Sequence, residues 1–319
     1  MDNTYIEQLR QEVASETRSF LRRKIELRLA SELIDQRKFK DALELLGKMA
    51  SEVRKMDDKS MQIDVLLLEA KVYTELKNYS KAKASLTGAR AAANAIYCPP
   101  KQAANLDMQS GILHLEEGDA NTAFSYFLEA FTSMDGLNEM ETSTSLFYYM
   151  IVSKLTSFRP QDVPSILSDR NMMRYGGPKV EGLQKMSKAQ EKQSLALFEE
   201  ARRTYFSDET DEVLLSQFSK LSDYLLESNL IALVKPYSCI EIELIARRMG
   251  LDEQMVENRL MVMIMDGKLK AFIDQERRVL LIQGQIRNNM AELCDAANQV
   301  CSDFNQVCDK IMERAQKVV

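Results

Sequence analysis

The 319-residue chain has a formal net charge of −6, with 45% apolar and 28% charged residues, enough for one elongated repeat protein or two ordinary domains with a sizeable core. This acidic balance gives no electrostatic reason to sit on nucleic acid or an anionic membrane, and no apolar run nears the length of a membrane span. Five cysteines without a CxxC pair and a single histidine, His114, leave no usual zinc ligand set, and predict free thiols in the cytoplasm or nucleus.

Glycine (11) and proline (6) are scarce, which predicts long helices joined by short loops. The segment Met1 to Arg10 is polar and mixed in charge, unlike a signal peptide, and Tyr5 to Arg23 reads as the start of a long helix. An internal repeat follows. Leu27, Ala30, Leu33, Phe39, Ala42 and Leu46 return 40 residues later as Leu67, Ala70, Tyr73, Tyr79, Ala82 and Leu86. After 41 more residues the set becomes Met108, Gly111, His114, Ala120, Ala123 and Phe127. Two antiparallel helices need this pattern: a small residue lets the axes approach, and large ones fill the groove beside it. The small, small, large spacing resembles a tetratricopeptide unit with a longer period, and three units fit between Leu27 and Phe131. Breaks are expected at Asp57-Asp58, at Cys98-Pro99-Pro100 and over a loop from Met134 to Glu141. A helix is expected to start at Asp162-Val163-Pro164-Ser165, and Tyr175-Gly176-Gly177-Pro178 to make a bend.

The pattern changes after Glu212. Val213 to Glu227 reads as an amphipathic helix with Leu214, Phe218, Leu221 and Leu225 on one face, and Leu230 to Val234 as a short β-prone run. Ser238-Cys239-Ile240-Glu241 has the form of a capping box opening a helix that stops at Gly250. Asp252 is expected to cap the next helix, which carries Val256, Leu260, Met263 and Ile264 and ends at Gly267. Leu269 to Ile273 and Val279 to Ile282 are strand-like, so the order helix, strand, helix, helix, strand, strand is that of a winged helix. In the tail, Ile286, Leu293, Val300 and Val307 alternate with Met290, Ala297, Phe304 and Ile311 at heptad positions, a stripe that needs a neighbouring helix. Cys294, Cys301 and Cys308 line its edge, too far apart in one helix to share a metal ion or a disulfide.

No catalytic residue, cofactor site or metal site is expected. Phosphate loops, dinucleotide fingerprints and metal-ligand spacings are missing from the sequence. Glu116-Glu117 and Glu199-Glu200 read as solvated helix faces, and His114 stands where Leu33 and Tyr73 stand in the other repeats. A DNA-reading winged helix would carry basic side chains on its second helix and wing. Between Ser238 and Gln283 acids instead outnumber bases by one, and Met255, Met261, Met263 and Met265 suit protein contacts better.

Helical repeats leading into an acidic winged helix and a C-terminal helix resemble the PCI-domain scaffolds of the proteasome lid, the COP9 signalosome and a translation-initiation complex. Within that group the chain is similar to a family of non-ATPase subunits of the proteasome's regulatory lid. The resemblance rests on Lys55-Met56-Asp57-Asp58-Lys59, Ala93-Asn94-Ala95-Ile96-Tyr97-Cys98-Pro99-Pro100 and Leu106-Asp107-Met108-Gln109-Ser110-Gly111-Ile112. Phe124-Ser125-Tyr126-Phe127, Glu129-Ala130-Phe131 and Leu225-Leu226-Glu227-Ser228-Asn229-Leu230 extend it, over about Leu27 to Ile282. It implies subunits joined through winged helices by paired strand edges, C-terminal helices gathered into a bundle, and an N-terminal arm bracing the ATPase ring against the proteolytic core. Family members begin upstream of the position of Met1, so much of that arm is expected to be missing. The turn Gln275-Glu276-Arg277-Arg278 also lacks the glycine usual in the family's wing.

The expected fold is mainly α: a right-handed tetratricopeptide-like solenoid over residues 1–125, then a PCI domain over 126–283. The PCI domain has a helical part at about 126–212 and a winged helix with a small β-sheet at about 213–283, and a C-terminal bundle helix follows over 284–319. Partner interfaces are expected at Val279, Leu280, Leu281 and Ile282, a wing strand with an edge open for strand addition, and at Leu293, Val300, Phe304, Val307 and Ile311, the bundle stripe. The resemblance implies a non-catalytic structural subunit acting in lid and 26S assembly for ubiquitin-dependent degradation. Its partners would be other PCI subunits of the lid, with ATPase-ring and core-particle subunits as further contacts, and neither nucleic acid nor membrane. The alternatives are a scaffold subunit of the COP9 signalosome and, from another class, a nucleic-acid-binding winged-helix adaptor.

Overall fold

The computed structural model describes residues 19–169, 172–206, 211–275, 277–282 and 300. By compactness the chain divides into two units, Met1–Ser222 and Asp223–Val319. The first begins with three helical hairpins. These are α1 (Ser19–Asp35) with α2 (Phe39–Met56), α3 (Lys59–Glu75) with α4 (Tyr79–Asn94), and α5 (Pro100–Glu117) with α6 (Ala120–Gly136). Then come α7 (Met140–Thr156), a 3-10 turn (Pro160–Asp162), α8 (Val163–Leu167), a second 3-10 turn (Met172–Tyr175), α9 (Pro178–Glu191) and α10 (Leu195–Tyr205). The long α11 (Glu212–Val234) contains the division between the two units.

One turn explains the repeat period. Arg37 (φ 59°), Lys77 (φ 56°) and Gly118 (φ 93°) hold the left-handed position that ends the first helix of each hairpin. The next residue's N–H then reaches back to a carbonyl: Lys38 to Leu33 (2.9 Å), Asn78 to Tyr73 (2.8 Å) and Asp119 to His114 (2.9 Å). This is the Schellman closure of a helix C-terminus. Asn78 and Asp119 also open the following helices, accepting from the N–H groups of Lys81 and Thr122. Between hairpins, Asp57 takes the left-handed position, Asp58 accepts from the N–H of Met61, and Pro99-Pro100 start α5. The loop expected from Met134 to Glu141 is shorter. Helix α6 continues to Gly136 and α7 starts at Met140, because Met134 is a buried core residue.

The small positions Ala30, Ala42, Ala70, Ala82, Gly111 and Ala123 are buried, as are Leu46, Leu86 and Phe127 beside them. The third hairpin departs in size: it pairs the larger Phe127 with the smaller Gly111. A Cβ on Gly111 would lie 2.6, 2.8 and 3.0 Å from three ring atoms of Phe127. That ring is fully buried and stacked on Tyr149 of α7 (centroids 5.4 Å), so it has nowhere to swing.

The near end of α11 is tied to the third hairpin by Glu116. Its carboxylate accepts from Ser216 Oγ (2.5 Å), Gln217 Nε2 (2.9 Å) and Lys220 Nζ (2.8 Å). Burial alone would raise the Glu116 pKa, but the hydrogen bonds from Lys220, Ser216 and Gln217 hold it below the usual glutamate value. Beside this tie, Phe218 packs on Phe206 (centroids 4.9 Å).

The second unit is a winged helix. The second half of α11 is followed by β1 (Cys239–Glu241), α12 (Ile242–Met249), α13 (Glu253–Met265), β2 (Ala271–Asp274) and β3 (Val279–Ile282). The expected element order holds, with two local corrections. Leu230 to Val234 is the end of α11, not a strand, since helical spacing puts both Leu230 and Val234 into the core with Ile245, Leu260 and Leu280. The strand is Cys239–Glu241, where a capping box was expected: Ile240 pairs with Leu280, so the chain stays extended until Ile242. Glu241 and Asp252 occupy the N-cap positions of α12 and α13 with no side-chain capping hydrogen bond. Gly250 (φ 66°) and Gly267 (φ 71°) end α12 and α13 as expected.

Two outcomes are expected. Gly111→Ala gains about 1 kcal/mol of helix propensity but meets the Phe127 ring, so it should destabilise by about 1–3 kcal/mol. Adding Phe127→Leu should recover much of that loss, a coupling measured in a double-mutant cycle by urea unfolding; additive effects would show that the ring does not set the need for glycine. The second concerns Glu116, whose folded pKa is depressed. Its contribution is therefore present above the unfolded value and lost as pH falls through the folded one. Glu116→Gln should cost about 1.5–3 kcal/mol at neutral pH, shrinking towards zero in acid. A deficit in thermal melts that stays constant with pH would remove the charge from the explanation.

Candidate partner interfaces

The sheet of the second unit has the order β1-β3-β2, both pairings antiparallel. The expected interface strand Val279–Ile282 is therefore the central strand and is paired on both sides. Its edge is not open, and the unpaired edges belong to β1 and β2. Two charged residues, Arg277 and Arg278, close a tight turn that folds β3 back along β2, and β1 then takes β3's other side. Arg278 (φ 52°) holds a left-handed position in this glycine-free turn, and Asp274 Oδ1 accepts from the Arg277 N–H (3.3 Å).

Pleating divides the four residues between two faces. Leu280 is 0% exposed and packs inward with Ile240, while Leu281 is 43% exposed. In register with Leu281 stand Cys239 on β1 and Phe272 on β2, both exposed. The outer face thus carries a row Cys239–Leu281–Phe272 across all three strands, of which only Leu281 was singled out from the sequence. Along β1, Cys239, Ile240 and Glu241 alternate exposed, buried and exposed. On α13, Val256, Leu260 and Met263 are buried whereas Met255, Met261, Val262 and Met265 are exposed.

Among the described residues of this unit, four bases are engaged by carboxylates. Arg259 meets Asp223 (2.8 Å) and Glu227 (3.6 Å), Lys268 meets Glu227 (2.8 Å), Arg278 meets Glu253 (3.2 Å) and Arg247 meets Glu243 (2.6 Å). The hydrogen bond to Glu227 holds Lys268 above the usual lysine value. Helix α13, in the place of a recognition helix, has one base, and two carboxylates occupy it. This is an arrangement for holding helices together, not for meeting phosphates.

Elsewhere, His114 stacks on Tyr126 (centroids 5.5 Å), whose ring also lies under Arg90, itself paired with Asp107 (2.8 Å). Burial pushes the Cys98 thiol up, and Asp64 and Asp107 add to the effect, so it is a poor nucleophile at neutral pH. Among the described residues no three His, Cys, Asp or Glu side chains gather closely enough to hold a metal ion, and no helix is long and apolar enough to cross a membrane. Of the expected bundle stripe, Val300 is exposed, and Leu293, Phe304, Val307 and Ile311 lie outside the described residues.

A solenoid of helical hairpins and a winged helix whose last strand is central define a PCI-type scaffold, and the PCI domain family model matches residues 195–283. The 26S proteasome non-ATPase regulatory subunit 11 homolog of Arabidopsis thaliana is 43% identical over 269 residues, 84% of this chain and 64% of the relative. A probable 26S proteasome regulatory subunit rpn6 of Schizosaccharomyces pombe is 37% identical, covering 93% and 70%, and the 26S proteasome regulatory subunit RPN6 of Saccharomyces cerevisiae is 38% identical, covering 94% and 70%. The chain belongs to this family of 26S proteasome regulatory subunits, and spans 64–70% of the length of these three relatives.

The two faces of β3 make a prediction. Leu280→Ala should destabilise the second unit by about 2–5 kcal/mol, whereas Leu281→Ala should cost under about 1 kcal/mol. Urea unfolding of the two variants would check it, and equal losses would mean that the outer face is covered within the chain.

Proposed function

We propose that the chain is a non-catalytic structural subunit of the proteasome's regulatory-particle lid, acting in lid and 26S assembly for ubiquitin-dependent degradation in cytoplasm and nucleus. The observation that carries this reading is the identity to 26S regulatory subunits over most of the chain, together with the exposed apolar side chains Leu281 and Phe272 on the outer face of the winged helix's sheet. Its partners are other PCI subunits of the lid, with ATPase-ring and core-particle subunits as further contacts. The helical-repeat solenoid over residues 1–125, the PCI domain over 126–283 and the bundle helix over 284–319 divide this work. Strand addition falls to the unpaired edges of β1 and β2, with Val279, Leu281 and Ile282 behind them and Leu280 holding the sheet to its core. Leu293, Val300, Phe304, Val307 and Ile311 supply the bundle stripe.

The engaged bases of the winged helix disfavour a nucleic-acid adaptor. The relatives' names favour the proteasome over the COP9 signalosome. A tagged chain expressed in cells should co-purify with proteasomal ATPase subunits and not with a deneddylase. Leu293→Asp combined with Val300→Asp should abolish incorporation into purified 26S particles while circular dichroism and melting of the isolated chain stay unchanged. Undiminished incorporation of the double variant, or recovery with the deneddylase complex, would sink the proposal.

A further inference from the structure

We propose that the groove between α9 and α10 is a docking site for an acidic peptide segment carrying one apolar anchor residue. The proposal goes beyond the lid reading and does not depend on it. One wall is Lys185, Lys188 and Lys192 of α9 and the sequence just after it, spaced three and four apart and so on one face. The other is Leu197, Glu200, Thr204 and Tyr205 of α10, and the floor is Ala189 and Ala201, both buried. The cavity between them is about 280 Å³. That is at the lower limit of small-molecule sites and fits a single large side chain.

The floor is narrow because the two helices nearly touch. A Cβ on Gly182 would stand 2.7 Å from Tyr205 Cβ, which fixes the spacing of α9 and α10 and makes the groove a built feature. Leu197 stands 45% exposed on its rim, a large apolar side chain left without cover. Lys185 donates to Tyr205 Oη (2.6 Å) and lies over that ring, so it is already positioned. The side chains of Lys188 and Lys192 make no hydrogen bond or ion pair among the described residues, unlike those of Lys83, Arg90, Lys101 and Lys220, which meet carboxylates. Glu200 is the single carboxylate lining the groove, so its charge is positive although the whole chain carries −6.

A ligand that matches must bring carboxylates along a row of about 10.5 Å, the length spanned by seven residues of helix, and one apolar side chain for the cavity. An acidic amphipathic peptide does both. A nucleic-acid strand fits less well: Glu200 would face its phosphates, and Lys185 already lies over one face of the Tyr205 ring where a base would stack.

The test uses the full chain and a fluorescein-labelled helical peptide with three glutamates at matching spacing beside one leucine, read by fluorescence anisotropy. Lys188→Glu with Lys192→Glu should weaken binding by at least about tenfold, binding should fall as ionic strength rises, and the peptide with glutamine for glutamate should not bind. Leu197→Asp should weaken it comparably, separating anchor from charge. Far-UV circular dichroism of each variant checks the fold, and Lys188→Gln with Lys192→Gln serves if the reversed charges disturb it. Undiminished peptide binding by a folded lysine variant would overturn the proposal. So would a single-stranded RNA that binds the wild-type chain more tightly than the peptide and loses binding with the same lysines.

Discussion

The close approach of paired helices is the constraint on which the first unit depends, and it comes from the turn. A left-handed residue at Arg37, Lys77 or Gly118 reverses the chain within three residues, so the second helix must run directly against the first. Only a small side chain fits at the crossing, hence Ala30 with Ala42, Ala70 with Ala82 and Gly111 with Ala123. Side-chain volume is then conserved across each crossing: Leu46 and Leu86 sit with an alanine opposite, whereas Phe127 requires a glycine. The larger ring gains a contact with Tyr149 that leucine would not make, and an aromatic cluster of Phe131, Phe147 and Tyr175 continues it. The third hairpin thus ends the simple repeat by handing its core over to α7 and the turn after α8.

The winged helix is organised by a different constraint, the position of its last strand. Placing β3 between β1 and β2 satisfies its backbone groups on both sides. It also moves the unsatisfied N–H and C=O groups to a three-residue and a four-residue strand. Short edges resist indiscriminate pairing, so a partner that adds a strand there needs side-chain contacts as well. The row Cys239–Leu281–Phe272 runs from one edge to the other across the outer face and provides such contacts to a partner approaching either edge.

Much of this architecture was legible in the sequence because it depends on periodicity and on breakers. The three hairpins, the glycines after Met249 and Asp266, and the winged-helix order follow from the recurrence of small residues and from helix-ending signals that act locally. The misplaced strand shows where local reading fails. Leu230-Ile231-Ala232-Leu233-Val234 is β-prone in isolation, yet it continues a helix whose face is completed by residues tens of positions away, and tertiary burial outweighs propensity. Ser238 and Glu241 have the spacing of a cap, but the pairing of Ile240 with Leu280 decides the backbone. The open edge assigned to β3 failed for the same reason: strand order is a long-range property that no window around Val279 contains.

The charges of the molecule separate into two kinds, and the difference tracks their surroundings. In the winged helix, Arg259 and Lys268 converge on the largely buried Glu227, where water is partly excluded and the pairings hold α11 against α13 and the turn after it. Glu116 does the same for α5 and α11 with neutral donors as well as a lysine, so its charge is compensated on three sides. Lys188 and Lys192 differ, because they line a groove with an apolar floor and one carboxylate, Glu200. Paired charges in confined places fix the positions of helices, and unpaired charges over apolar ground remain able to choose a partner. A chain that works through its surfaces needs both, the first to keep its faces in register and the second to discriminate between the polypeptides that reach them.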